Sequence, residues 1–180
     1  FDDIVNYCDK EMLEAANALP ATYEDPAKYG RITKIMALTV RARMLLFAAS
    51  PLVNGNPWYK DYRNKSGELI FNPTYDPQKW VKAAEACKLC IDEAEKAGYK
   101  LYKEYNDDGS IDPFMSTYNV HLKRWSEGNR EITFPVTKGN AYKQIDGLLN
   151  WCSVREVGGG NGLGVYQGLV DAFFTKNGLP

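Results

Sequence analysis

Thr33-Lys34-Ile35-Met36-Ala37-Leu38-Thr39-Val40-Arg41-Ala42-Arg43-Met44-Leu45-Leu46-Phe47-Ala48-Ala49-Ser50 is the stretch whose reading decides the fold. Thr33 is a good helix cap, because its hydroxyl can accept from a backbone N–H that the first turn leaves without a partner. Apolar residues then follow almost all round the helical wheel: Ile35, Met36, Leu38, Val40, Leu45, Leu46 and Phe47. A helix without a broad polar face is buried on several sides, so other helices must flank it. Arg41 and Arg43 interrupt the pattern and need carboxylate partners or a solvent stripe.

The flanks supply those helices. Upstream, Val5, Cys8, Met12, Ala16 and Leu19 recur at three- and four-residue steps, which predicts an amphipathic helix over Asp3–Leu19. Asp2 and Asp3 at its start suit the helix dipole. Pro20–Gly30 reads as a loop. Downstream, Asp76-Pro77 opens a third helix, Trp80, Ala84, Cys87, Ile91 and Ala94 form its apolar stripe, and Gly98 closes it. Helices two and three are expected to pair as an αα-hairpin across a long irregular connection, Ser50–Tyr75, of the length that is usually functional or mobile. Beyond Tyr99 the pattern weakens. Arg130–Val136 is a short strand candidate, Asn106–Ser110 a solvated turn, Gly158–Gly164 a flexible run, and Tyr166 onwards a last short helix. The chain is expected to be one mainly α region, helical over 1–105, loop-rich over 106–165 and helical again over 166–176.

Composition bounds the function. The 180 residues are 44% hydrophobic and 25% charged, the balance of a folded globular chain. Net charge is −1, which excludes a global basic field for nucleic acid. Charge is nonetheless uneven: residues 1–30 carry seven acids and two bases, and residues 31–65 seven bases and one acid. Complementary surfaces on neighbouring helices explain that asymmetry. The longest uncharged run, Met44–Tyr59, holds two prolines, a glycine and two asparagines and is no membrane span. One histidine, His121, rules out most multi-His metal sites. Cys87-Lys88-Leu89-Cys90 lies in the middle of a helix, where two small buried hydrophobes are the expected reading. The glycine run has no phosphate-loop spacing. The ends, Phe1 and Asn177-Gly178-Leu179-Pro180, read as those of a piece of a longer protein. No cofactor or metal is expected.

The strongest functional signal is aromatic: 12 Tyr, 7 Phe and 4 Trp. Several of these rings fall in loops beside Asn, Gln and Arg. The flat apolar face of a pyranose stacks on such rings while polar side chains take its hydroxyls. Trp58, Tyr59, Trp125, Tyr142 and Trp151 are the stacking candidates, with Asn150 and Arg155 as hydrogen-bond donors. Trp151 ranks first, because it lies just before the glycine run.

Four stretches in order carry a family resemblance. They are Gly30-Arg31-Ile32-Thr33-Lys34 through Ala48-Ala49-Ser50-Pro51-Leu52-Val53-Asn54-Gly55; Trp80 with Gly98-Tyr99-Lys100-Leu101-Tyr102; Asn129-Arg130-Glu131-Ile132; and Gln167-Gly168-Leu169-Val170-Asp171-Ala172-Phe173. The sequence resembles the SusD/RagB family of nutrient-binding outer-membrane lipoproteins. The resemblance implies tetratricopeptide-like helix pairs with long ligand-binding loops, and no catalysis. It implies an outer-membrane, extracellular location, held by a lipid anchor outside this stretch. It implies capture of an oligosaccharide for a SusC-like TonB-dependent transporter. A peptide ligand, as in the RagB branch, and a helical-repeat protein-interaction scaffold are the alternative expectations.

Overall fold

The computed structural model describes residues 1–135, 153–160, 164 and 166–172. The chain divides into two compact units, Phe1–Pro135 and Val136–Pro180. The first is mainly helical: α1 (Asp2–Ala18), α2 (Lys34–Ala49), α3 (Gln78–Lys96), β1 (Glu104–Tyr105), β2 (Ile111–Asp112) and α4 (Pro113–Val120). The second shows a turn of 3-10 helix at Arg155–Val157 and a single α-turn at Gln167–Val170.

Helix α2 is central, as its sequence requires, and packs against both α1 and α3. The Thr33 hydroxyl accepts from the Met36 N–H at 3.2 Å, so the cap forms as expected. Ala42, Leu45 and Ala49 meet Ala83 and Ala86 of α3, with Val5, Met44, Cys87 and Cys90 around them. Alanines at the seam let the two helix backbones approach closely, while Ile35 and Leu38 of α2 are fully buried. Truncating Leu38 to Ala would cost roughly 2–5 kcal/mol, the range for a buried leucine. Cys87 and Cys90 are free thiols, and the Cys90 sulfur lies 3.5 Å from the Thr39 hydroxyl. Among the described residues no group of His, Cys, Asp and Glu could hold a metal ion, and no helix is long and apolar enough to cross a membrane.

The charge asymmetry resolves differently from the simplest expectation. Arg41 of α2 does reach Asp9 of α1, at 2.7 Å and largely out of solvent. The other acid-to-base contacts of α1 come from α3: Lys79 to Asp2 at 2.7 Å and Lys82 to Asp9 at 2.8 Å. Burial alone would raise the Asp9 pKa, but Lys82 and Arg41 more than reverse this and hold it low.

Two buried asparagines organise the irregular parts. Asn54 donates to the carbonyls of Ala49 (3.3 Å) and Asp76 (2.9 Å) and accepts from the Asp76 N–H (2.9 Å). It thereby joins the end of α2 to the start of α3 and closes the long connection at its base. The next residue, Gly55, has φ +72°, and a Cβ there would meet the Tyr75 nitrogen at 2.6 Å, so only glycine fits. Asn129, fully buried, donates to the carbonyls of Val120 (2.8 Å) and Lys123 (3.0 Å) and accepts from the Glu131 N–H (3.1 Å).

The expected strand at Arg130–Val136 does not form within the described residues 130–135. The Glu131 N–H goes to the Asn129 side chain rather than to a ladder, and Pro135 has no N–H to give. The strands lie earlier. The turn expected at Asn106–Ser110 is present and joins β1 to β2 as an antiparallel hairpin, pairing Glu104 with Asp112 and Tyr105 with Ile111. Asp112 then caps α4, accepting from the Met115 N–H at 2.9 Å.

Candidate functional site

Trp125 opens a 3-10 turn, Trp125–Glu127, that is fixed from both ends. The Arg124 N–H donates to the Glu127 carboxylate at 2.9 Å, and Gly128, at φ +90°, returns its N–H to the Trp125 carbonyl at 3.1 Å. The buried Asn129 holds the Glu131 N–H, two residues on, at 3.1 Å. Arg130 then folds back with its guanidinium carbon 4.0 Å from the indole centroid. From another direction comes Tyr99: its N–H closes α3 on the Ala94 carbonyl (3.0 Å), and its ring lies 5.0 Å from Trp125, tilted by 58°. Tyr29 reaches the same indole from the loop before α2, at 6.3 Å and 36°. That loop is set by Asp25, whose carboxylate accepts from the Ala27 N–H at 2.9 Å.

Three cavities adjoin this cluster. The space beneath the rings, between Tyr29, Tyr99, Trp125, Thr33 and Met36, amounts to about 30 Å3, no more than a water or so occupies. It is a packed seam. Outside it lies a cleft of about 330 Å3, walled by Tyr23, Tyr29 and Trp125 and edged by Glu24, Asp25, Arg124 and Ser126. Its size falls at the small end of the roughly 300–1,000 Å3 typical of small-molecule sites. A further groove of about 550 Å3 includes Tyr99, Lys100, Tyr102, Lys103 and Arg130. Burial raises the pKa of both Tyr29 and Tyr99, so both phenols stay protonated as neutral donors over the ordinary pH range. Apolar ring walls with carboxylate acceptors and guanidinium and hydroxyl donors at the rim are the chemistry that holds a polyhydroxylated ring.

The residues expected to bind ligand fall into different settings. Trp125 stands in the cleft wall. Trp58 projects from the 3-10 turn Pro57–Tyr59 with 86% of its surface exposed. Its neighbour Tyr59 turns inward: it stacks on Phe71 at 4.8 Å and 25°, meets Tyr62 edge-on at 6.3 Å, and Phe71 in turn contacts Phe1 at 5.2 Å. Tyr59 is thus a packing ring. Arg155 is exposed in the second unit. Tyr142, Asn150 and Trp151 lie outside the described residues.

Sequence reasoning did not single out Tyr23, Tyr29, Tyr99, Arg124 or Arg130 as site residues. A usable signal was present: Tyr23 and Tyr29 flank Glu24, Asp25 and Pro26 in a loop that ends at Gly30. Aromatics beside polar side chains in a loop are the pattern already weighed for Trp58, and it occurs one loop earlier as well.

No protein-family model matches the chain, and no curated protein matches it. Solved structures do. BT4246, from Bacteroides thetaiotaomicron, is similar with a TM-score of 0.65 and 29% identity over 77% of this chain. The selenomethionine form of BT4246 gives a TM-score of 0.63 and 30% identity over the same share. The chain spans 28% of the length of each.

Proposed function

We propose that this chain is the glycan-binding part of a SusD-like surface lipoprotein. It takes up an oligosaccharide at the extracellular face of the outer membrane and passes it to a SusC-like TonB-dependent transporter, without catalysis. The observation that carries the reading is the cleft of three aromatic walls and a polar rim around Trp125. The ordered sequence motifs support it, and so does the helical core in which α2 is flanked by α1 and α3, as tetratricopeptide-like helix pairs would be.

Stacking on one ring contributes about 1 kcal/mol, so Trp125→Ala should weaken binding about five-fold. Several such contacts are needed for use, and micromolar to millimolar dissociation constants are expected. The test is a glycan array on the full chain followed by calorimetry on any hit, with Trp125→Ala and Tyr23→Ala beside the parent. Binding that neither substitution changes would place the ligand elsewhere, and new reducing ends after incubation with the glycan would overturn the non-catalytic assignment.

A further inference from the structure

The groove on the far side of Tyr99 carries more chemistry than a neutral sugar uses. Lys100, Lys103 and Arg130 all line it, and Glu95 is the acid among its lining residues. None of the three cations pairs with a carboxylate among the described residues. Glu104, half-buried, and Glu131, exposed, lie nearby in the chain, and each is held by hydrogen bonds of its own. Glu104 accepts from the Tyr102 hydroxyl and from Asn119, and Glu131 accepts from the Tyr102 N–H at 2.8 Å.

Arg130 is the most telling. Its guanidinium carbon lies over the Trp125 ring at 4.0 Å, yet no acceptor among the described residues takes a hydrogen bond from it. A guanidinium placed over an indole keeps its planar fork of donors for a carboxylate or sulfate, with little entropy left to lose. The Lys100 N–H donates to the Arg130 carbonyl at 3.2 Å, so the two chain segments that bring Lys100 and Arg130 together are tied at this point. The groove holds about 550 Å3, and Tyr99, Tyr102 and Tyr105 contribute rings to its lining.

We infer that this groove is a subsite for the anionic group of an acidic saccharide, a uronate or a sulfated sugar, gripped by Arg130 with Lys100 and Lys103. The inference deepens the glycan reading and rests on it. Arg130 touches both the Trp125 indole and the groove, so one ligand could stack a sugar ring in the cleft and present its acidic neighbour to the guanidinium.

The probes are a galacturonate hexamer, a chondroitin sulfate hexasaccharide, maltohexaose as the neutral control, and a hexaglutamate peptide. Each is titrated by calorimetry into the full chain and into the Lys100→Gln/Lys103→Gln double variant. Both lysines are exposed, so the fold should survive their replacement. Expected is at least ten-fold tighter binding of one acidic sugar than of maltohexaose. That preference should be lost in the double variant, retained in Lys100→Arg/Lys103→Arg, and reduced several-fold by raising salt to about 0.5 M. Whether the uronate or the sulfate binds more tightly identifies the anion.

Equal binding of neutral and acidic sugars, sensitive to Trp125→Ala, would overturn this inference and leave the cleft reading intact. Lysine-dependent acidic-sugar binding that ignores Trp125→Ala would do the reverse. Hexaglutamate bound as tightly as either sugar would overturn the saccharide assignment, and silence with every sugar would overturn both readings.

Discussion

Two 3-10 turns that each carry a tryptophan behave in opposite ways. The Pro57–Tyr59 turn offers Trp58 to solvent and commits Tyr59 to Phe71, whereas the Trp125–Glu127 turn holds its indole half-buried between Tyr29, Tyr99 and Arg130. The difference lies in what stands behind each ring. Among the described residues no ring packs on Trp58, and its exposure of 86% leaves its side chain free to sample rotamers. Trp125 is braced on several sides and has a cleft beside it, so a ligand at the proposed site would meet a surface already ordered. Preorganisation, more than aromatic content, separates a platform from a decoration.

The sharpest way to break this contrast is through Asn129. Replacing it by Ala leaves two part-buried carbonyls and one N–H without the partner they have here. At roughly 1–3 kcal/mol for each unsatisfied group, partly relieved by relaxation, a loss of about 3 kcal/mol is expected in denaturant unfolding. The damage should centre on the Trp125 turn, because Asn129 joins Lys123 to Glu131 around it. Hydrogen exchange should therefore accelerate at residues 123–131 and not at 54–62. Uniform acceleration would mean that the two loops belong to one cooperative unit.

A smaller effect tests the other loop. Tyr59→Ala removes a half-buried ring with two aromatic neighbours and should cost about 2 kcal/mol of stability, without altering the glycan binding proposed for the cleft. Trp58→Ala should stay within about 0.5 kcal/mol, as exposed substitutions do. If Trp58→Ala weakened glycan binding as much as Trp125→Ala, exposure would matter more than bracing and the comparison would invert.

How far the sequence anticipated this follows from where the physics is local. Thr33 as cap, the three helices and the Asn106–Ser110 turn depend on neighbours within a few residues, and they were readable. The strand expected at Arg130–Val136 was not, because its alternative is Asn129, whose partners Val120, Lys123 and Glu131 are set by tertiary packing. The motif residues that carry the family resemblance include structural anchors: Asn54 and Gly55 close the base of the long connection, and Asn129 fixes the Trp125 turn. Cleft residues such as Tyr23, Glu24 and Asp25 lie outside those motifs. A motif of buried staples therefore identifies the frame well and the ligand poorly. Tyr29 and Tyr99 come from loops about 70 residues apart in the chain, and only the fold brings them to one indole.

The finest distinction between the two regions is their response to acid. Glu93, in the last turns of α3, accepts from Lys34 at the start of α2 and from Lys96 at 2.7 Å. Hydrogen bonds from Lys34 first, and then from Lys96, lower its pKa from 4.5 to about 2. A carboxylate lowered in the folded state contributes stability that is complete above its ordinary pKa of 4.5 and is lost as pH falls through about 2. Lys34 and Glu93 are only half-buried and Lys96 is exposed, so screening keeps the global effect small. Its position makes it informative: Lys34 follows Thr33 in the wall of the ring seam, and Glu93 precedes Ala94, whose carbonyl holds the Tyr99 N–H. Acid should therefore loosen the Tyr99 side of the Trp125 cluster through this carboxylate. The indole N–H resonances of Trp125 and Trp58 can be followed as pH is lowered from about 6 to about 2, in the parent and in Glu93→Gln. A shift of the Trp125 signal present in the parent and absent in Glu93→Gln is expected, with Trp58 moving equally in both proteins. Identical titration of Trp125 in the two would show that the cluster is braced by Asn129 and Arg130 alone, and that the α2–α3 ion pair contributes nothing to the ligand surface.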